Sequence, residues 1–294
     1  MQDYLIATAS TSDLEASWLN EHHIPFISYS FIIDGKAYND DCTLQTKQFV
    51  YEQMRAGKML NTSAISEYAY YEFFKELMSQ GKDVLYIDMS RAISSSIENA
   101  EIAAESIRKK FPDQKLYFLD SYCITGGLKL FIKQLVKKHE DGESFEDLIA
   151  WGEEHKKEYI HRFMVDDLHW LSRGGRLSNA TAVVGTMLAI KPMLYVDNEG
   201  KLISFGQAHG RKKCFKQLIE SMKDDLADYS ADEEITIISA DDREDCEKLI
   251  EDIKNAYPQL SNAEFTITDL GPTICAHVGP GFAAIIYHGK PRVM

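Results

Sequence analysis

The sequence predicts an α/β protein of two parts: an N-terminal parallel-sheet α/β/α domain over residues 1–160 and a C-terminal two-layer α+β domain over residues 161–294. Three observations predict it. Short apolar runs alternate with helix-like segments through the first half, and a hairpin signal breaks that alternation after about Met164. At 294 residues the chain is also longer than a single hydrophobic core usually serves.

In chain order, Tyr4-Leu5-Ile6-Ala7 reads as a first strand, followed by a helix start at Ser12-Asp13. Val84-Leu85-Tyr86-Ile87 reads as a strand leading into the serine-rich turn Ser94-Ser95-Ser96. The helix after that turn places Ile97, Ala100, Ala104, Ile107 and Phe111 on one stripe at spacings of three and four, and Pro112 stops it. Leu116-Tyr117-Phe118-Leu119 is the next strand, again before a helix. Farther on, Met193–Val196 and Lys201–Ser204 flank Asp197-Asn198-Glu199-Gly200, which predicts two antiparallel strands. A helix from about Arg211, a strand at Ile235–Ile238, a helix near Arg243–Tyr257, a strand at Phe265–Ile267 and a closing strand at Phe282–Tyr287 complete the second half.

Composition removes several classes of function. With 32 Lys and Arg against 46 Asp and Glu, the net charge is −14, which argues against nucleic acid and anionic membrane surfaces as partners. The start Met1–Ile6 has neither a basic region nor a long apolar run, so a cytoplasmic location is expected. The uncharged window Leu270–Gly289 contains Gly271, Pro272, Gly279, Pro280 and Gly281, and reads as no membrane span. Five widely spaced cysteines without a C-x-x-C pair are expected to be buried thiols, and no histidine spacing suggests a metal.

Three places carry candidate chemistry. Ser95-x-x-Glu98 fits a capping box, yet the same turn lies where N–H groups at a strand's carboxyl end and a helix N-terminus attract an anion. Asn61–Glu67, with Thr62 and Ser63, is a second polar turn before a helix and could converge on the same crevice. His277 sits between two apolar strands beside Gly279 and Gly281; the pattern Gly279-x-Gly281-x-x-Ala284 leads into a strand and is rejected as a nucleotide site. Asp241-Asp242 is assigned to helix capping and solvation. Residues 161–213 carry eight positive against four negative charges, which suits either a solvated surface or an acidic partner.

Leu171-Ser172-Arg173-Gly174-Gly175-Arg176-Leu177-Ser178, Ile190-Lys191-Pro192-Met193-Leu194 and His277-Val278-Gly279-Pro280-Gly281 together resemble the DegV family, with weaker matches at Thr62-Ser63, Ser94, Asp120-Ser121 and Asp34–Tyr38. The likeness runs from about Tyr4 to Gly289. It implies a two-domain DegV-like fold with a long-chain fatty acid in a tunnel between the domains and no catalytic residue, metal or cofactor of the chain's own. It implies that Thr62, Ser94 and His277 hold the carboxylate, supported by Ser63, Ser95 and Gly279. It also implies a partner: an ATP-dependent fatty acid kinase, similar to dihydroxyacetone kinases, that makes an acyl phosphate for phospholipid synthesis. Arg173, Arg176 and Arg211 are the expected docking residues. The sequence departs from the family at Ala9, at Ser95-Ser96, at Ala64-Ile65 and at His209, where an Arg is common. A stand-alone hydrolase using His277, or a lipid-sensing regulator, is the alternative.

Overall fold

The computed structural model describes residues 4–176, 190–227 and 233–293. In chain order, β1 (Tyr4–Ala9) runs through a 3-10 turn into α1 (Ala16–Glu21), then β2 (Phe26–Ile27), β3 (Ser30–Ile33), β4 (Lys36–Asn39), α2 (Leu44–Arg55) and β5 (Leu60–Ser63). There follow α3 (Glu67–Met78), β6 (Asp83–Asp88), α4 (Ser96–Lys110), β7 (Leu116–Asp120), α5 (Thr125–Glu140) and α6 (Phe145–His155). The rest is β8 (Tyr159–Met164), α7 (His169–Gly174), β9 (Ile190–Val196), β10 (Leu202–His209), α8 (Arg211–Ser221), β11 (Glu234–Ser239), α9 (Arg243–Ala256), β12 (Glu264–Asp269), α10 (Pro272–Val278) and β13 (Ala283–His288).

These elements build an α/β architecture. The first sheet, in the order β2-β1-β6-β7, is parallel throughout, as short buried strands joined by helices require. The second has six strands in the order β10-β9-β8-β13-β11-β12 and is mixed: only β11 and β12 run parallel. Its hairpin β9–β10 turns at Asp197–Gly200 as the sequence predicts, with Gly200 at φ 77°. In α4 the predicted stripe is the buried face, with Ile97, Ala100, Ala104 and Ile107 inside and Phe111 at the C-terminal end.

A third sheet, β4-β3-β5, has no counterpart in the sequence reading. Its β3–β4 hairpin turns through Asp34 and Gly35, both at positive φ (51° and 78°), the geometry that Asp-Gly dipeptides favour. Thr62 and Ser63, read as part of a polar turn, are therefore strand residues of β5, and the helix after them is capped by Ser66, whose Oγ accepts from the Ala69 N–H at 3.2 Å.

The two larger sheets share a wall. Helices α8 and α9 cover one face of the six-stranded sheet, while the other face is covered by α5 from the first half. Gly126 and Gly127 allow that approach, because a Cβ at Gly126 would lie 2.6 Å from Ile238 Cδ1 and one at Gly127 2.1 Å from His161 Nε2. His161 is buried against the Tyr159 and Ile124 carbonyls, and burial pulls its pKa down to about 3, so it is a neutral packing group. The C-terminal segment adds a fastening: the Arg292 guanidinium donates to the carbonyls of Tyr122 (3.0 Å), Lys156 (3.1 Å) and Lys157 (3.2 Å). All five cysteines are buried thiols, and among the described residues no helix is long and apolar enough to cross a membrane.

Candidate functional site

A cleft lies where the carboxyl end of the parallel sheet meets β5, the β9–β10 hairpin and α10. Met89, Ile93, Ile124, Leu202, Ile274 and Val278 give it apolar walls, and Thr62, Ser94, Arg176 and His277 line it with polar groups. Such a mixture suits an elongated apolar ligand with one polar end.

Three separate segments deliver the polar end. Strand β5 presents Thr62, paired in register with Phe31 of β3. The turn after β6 presents Ser94, whose Oγ accepts from the Ser96 N–H at 3.2 Å. Ser95 occupies the cap position of α4 but its side chain makes no cap bond, so the expected Ser95/Glu98 capping box does not form. The two turns are stitched together: Ser96 Oγ accepts from the Ile65 N–H at 3.1 Å, and Asn99 Nδ2 donates to the Ile65 carbonyl at 2.7 Å. That convergence leaves Ser63, Ala64 and Ser95 on the cleft wall.

The third segment is α10. His277 lies between two strands, β12 and β13, as expected, but on a short helix that joins them, and its Nε2 is 2.9 Å from Thr62 Oγ1. Pro272 starts the helix at its first turn and Gly279, at φ 79°, ends it. Six of its seven residues are buried, so it has no amphipathic period to reveal it. Burial, together with the nearby positive charge of Arg176, pulls the His277 pKa down to about 4. The imidazole is neutral near pH 7 and can offer Thr62 either a donor or an acceptor.

Behind Ser94 lies a group that sequence reading passed over. Tyr29 OH is 3.3 Å from Ser94 Oγ and donates to Asp88 Oδ2 at 3.4 Å. Asp88, fully buried at the end of β6, also accepts from Tyr86 OH (2.8 Å), Tyr70 OH (3.3 Å), Thr11 Oγ1 (3.3 Å) and the Met89 N–H (2.7 Å). Burial raises its pKa to about 6 against the opposing pull of these donors. An ionisable residue at the carboxyl end of a buried parallel strand is the signal that would have found it.

The three arginines grouped from sequence separate in space. Arg176 lines the cleft. Arg173 is exposed, with its guanidinium 4.5 Å from the Trp170 ring centroid and Nη1 3.1 Å from Met59 Sδ. Arg211 is held inside a carboxylate cage, donating to Asp166 (3.0 Å), Asp245 (2.8 Å), Asp242 and the Gly281 carbonyl (2.6 Å). Asp242 is thereby an ion-pair partner, not a side-chain cap, and Asp241 pairs with Arg55 at 2.8 Å. Gly279 packs against Trp170. Ala9 is fully buried and His209 is exposed on β10. Leu177 and Ser178 of the Arg173–Arg176 motif lie outside the described residues.

Fold and cleft together define a three-sheet α/β protein whose apolar-walled cleft is lined by hydroxyls and an imidazole. The DegV family model, described as that of an uncharacterised protein family, matches residues 4–290, and the chain belongs to this family. A DegV domain-containing protein of Clostridium perfringens is 34% identical, with 99% of each chain covered. A DegV lipid-binding protein of Thermotoga maritima superposes with a TM-score of 0.85 at 23% identity, covering 100% of both chains. DegV of Bacillus subtilis, a fatty-acid-binding protein, superposes at 0.81 with 27% identity, covering 99% of this chain and 100% of that one.

Proposed function

We propose that this protein binds a long-chain fatty acid in the cleft and presents its carboxylate to a partner kinase, which phosphorylates it with ATP to an acyl phosphate for phospholipid synthesis. The observation that carries the reading is that Thr62, Ser94 and neutral His277 line one cleft with apolar walls, Thr62 and His277 in contact. Burying about fifteen methylenes at about 0.8 kcal/mol each supplies roughly 12 kcal/mol before ordering costs. A carboxylate drawn in with that tail needs donors, which the two hydroxyls and the imidazole offer. The fatty-acid-binding relatives support the ligand. The kinase is supported by the family likeness in the sequence and by Arg176, which lines the cleft.

The hydrolase reading rests on the Thr62–His277 contact. It is the weaker one, because an imidazole with a pKa of about 4 is a poor general base at neutral pH. Among the described residues no carboxylate bonds its other ring nitrogen.

Denaturing extraction of protein expressed in bacteria, followed by mass spectrometry, should release about one long-chain fatty acid per chain. Adding a fatty acid kinase and ATP should then give acyl phosphate, and Arg173→Ala should keep the lipid but lose that product. Absence of any acyl chain, with no uptake of added fatty acid, would sink the ligand; ester hydrolysis by the pure chain would favour the hydrolase.

A further inference from the structure

Asp88 sets an electrostatic problem for a carboxylate bound at Ser94. Placing a ligand carboxylate against Ser94 sets a second anion two hydroxyls away from a fully buried carboxylate, in a region where charges are poorly screened. Thr11 from the turn after β1, Tyr29 ahead of β3, Tyr70 from α3, and Tyr86 and the Met89 N–H from its own strand face it. The carboxylate beside it on β7, Asp120, is instead paired with Arg91 at 3.2 Å. Among the described residues no cation bonds Asp88.

The hydroxyl bonds offer a way out, because Tyr29 has acceptors on both sides. While Asp88 is ionised, the Tyr29 hydrogen points to Asp88 and Ser94 can give its own hydrogen to the Tyr29 oxygen. A ligand carboxylate demands the Ser94 hydrogen, and Ser94 can then accept from Tyr29. Asp88 loses one donor by that reversal and faces a new negative charge nearby, and both changes favour its protonated form. The protonated acid donates to Tyr29, so that the hydrogens run Asp88 to Tyr29 to Ser94 to ligand, each bond polarising the next.

We propose that binding of a carboxylate ligand is coupled to the uptake of one solvent proton by Asp88, transmitted through the Tyr29–Ser94 hydroxyl relay. Asp88 and Tyr29 are thus positioning residues that act through Ser94, and no bond between heavy atoms is made or broken. The inference rests on the reading of Ser94 as a carboxylate donor. The ordinary pKa of a carboxyl is already raised to about 6 at Asp88 before any ligand binds, so a modest further rise carries it across neutrality.

Myristate is the probe, titrated calorimetrically into delipidated protein at pH 7.5 in phosphate and in Tris, two buffers with very different heats of ionisation. The wild type should take up about half a proton, and its Kd should rise about threefold between pH 7 and 8. Asp88→Asn, which imitates the protonated acid, should bind with no buffer-dependent heat and a flat pH profile. Tyr29→Phe should cut the relay and lose the uptake even if Asp88→Asn fails to fold. Myristate bound without proton uptake by the wild type overturns the inference and leaves the ligand reading intact. Undiminished uptake in Asp88→Asn overturns it too, by placing the proton elsewhere. No binding by the wild type overturns the ligand reading and this inference with it.

Discussion

At the scale of single residues, Thr62, Ser94 and His277 matter because each already has a protein partner that a carboxylate can replace or join. Thr62 pairs with His277 at 2.9 Å, and Ser94 with Tyr29 at 3.3 Å. Thr62→Val and Ser94→Ala each remove one hydrogen bond to a charged oxygen, about 1.5–3 kcal/mol, so each should weaken fatty-acid binding roughly tenfold or more. Isothermal titration reads this directly. An unchanged melting temperature is expected for Thr62→Val and a small fall for Ser94→Ala, whose oxygen accepts from the Ser96 N–H at the start of α4. Unchanged affinity in both variants would remove them from the site. His277, with its pKa at about 4, holds one protonation state from pH 6 to 8, so its own titration adds no pH dependence in that window.

At the scale of elements, legibility followed periodicity. The α4 stripe of Ile97, Ala100, Ala104 and Ile107 could be read because one of its faces is polar, whereas α10 is buried on nearly every side. Its boundaries were nonetheless written in Pro272 and Gly279. The small sheet escaped because β3 and β4 are four residues each, although Asp34-Gly35 was a usable hairpin signal. The hydroxyl-bearing turns could be singled out locally, but the contact between Thr62 and His277 spans 215 positions and no local pattern encodes it. Because α10 carries His277, its exit turn is a sensitive place. Gly279 sits at φ 79°, and a Cβ there would lie 2.5 Å from the Trp170 ring. Gly279→Ala is expected to cost about 1–3 kcal/mol through backbone strain and to displace His277 or Trp170. A lowered melting temperature together with weakened fatty-acid binding is the expected outcome; a variant that melts and binds like the wild type would show that the turn yields freely.

At the scale of the whole molecule, the sequence reading divides the chain at residue 160, yet α5 from the first half forms a face of the second sheet, and Arg292 reaches back to Tyr122. A fragment of residues 161–294 would expose Ile238 and Ile286, both fully buried in the intact chain, and a fragment of residues 1–160 would expose the inner side of α5. Neither is expected to fold alone. Calorimetry of the intact protein should give one transition whose calorimetric and van't Hoff enthalpies agree, although chains of this size often unfold in stages. Two resolved transitions, or a stable fragment after limited proteolysis near residue 160, would refute that. The shared wall also bears on how a ligand comes and goes. If the halves cannot part without losing their common helix, ligand exchange is timed by local openings at the cleft mouth, and a ligand that steadies one wall delays the melting of the entire chain.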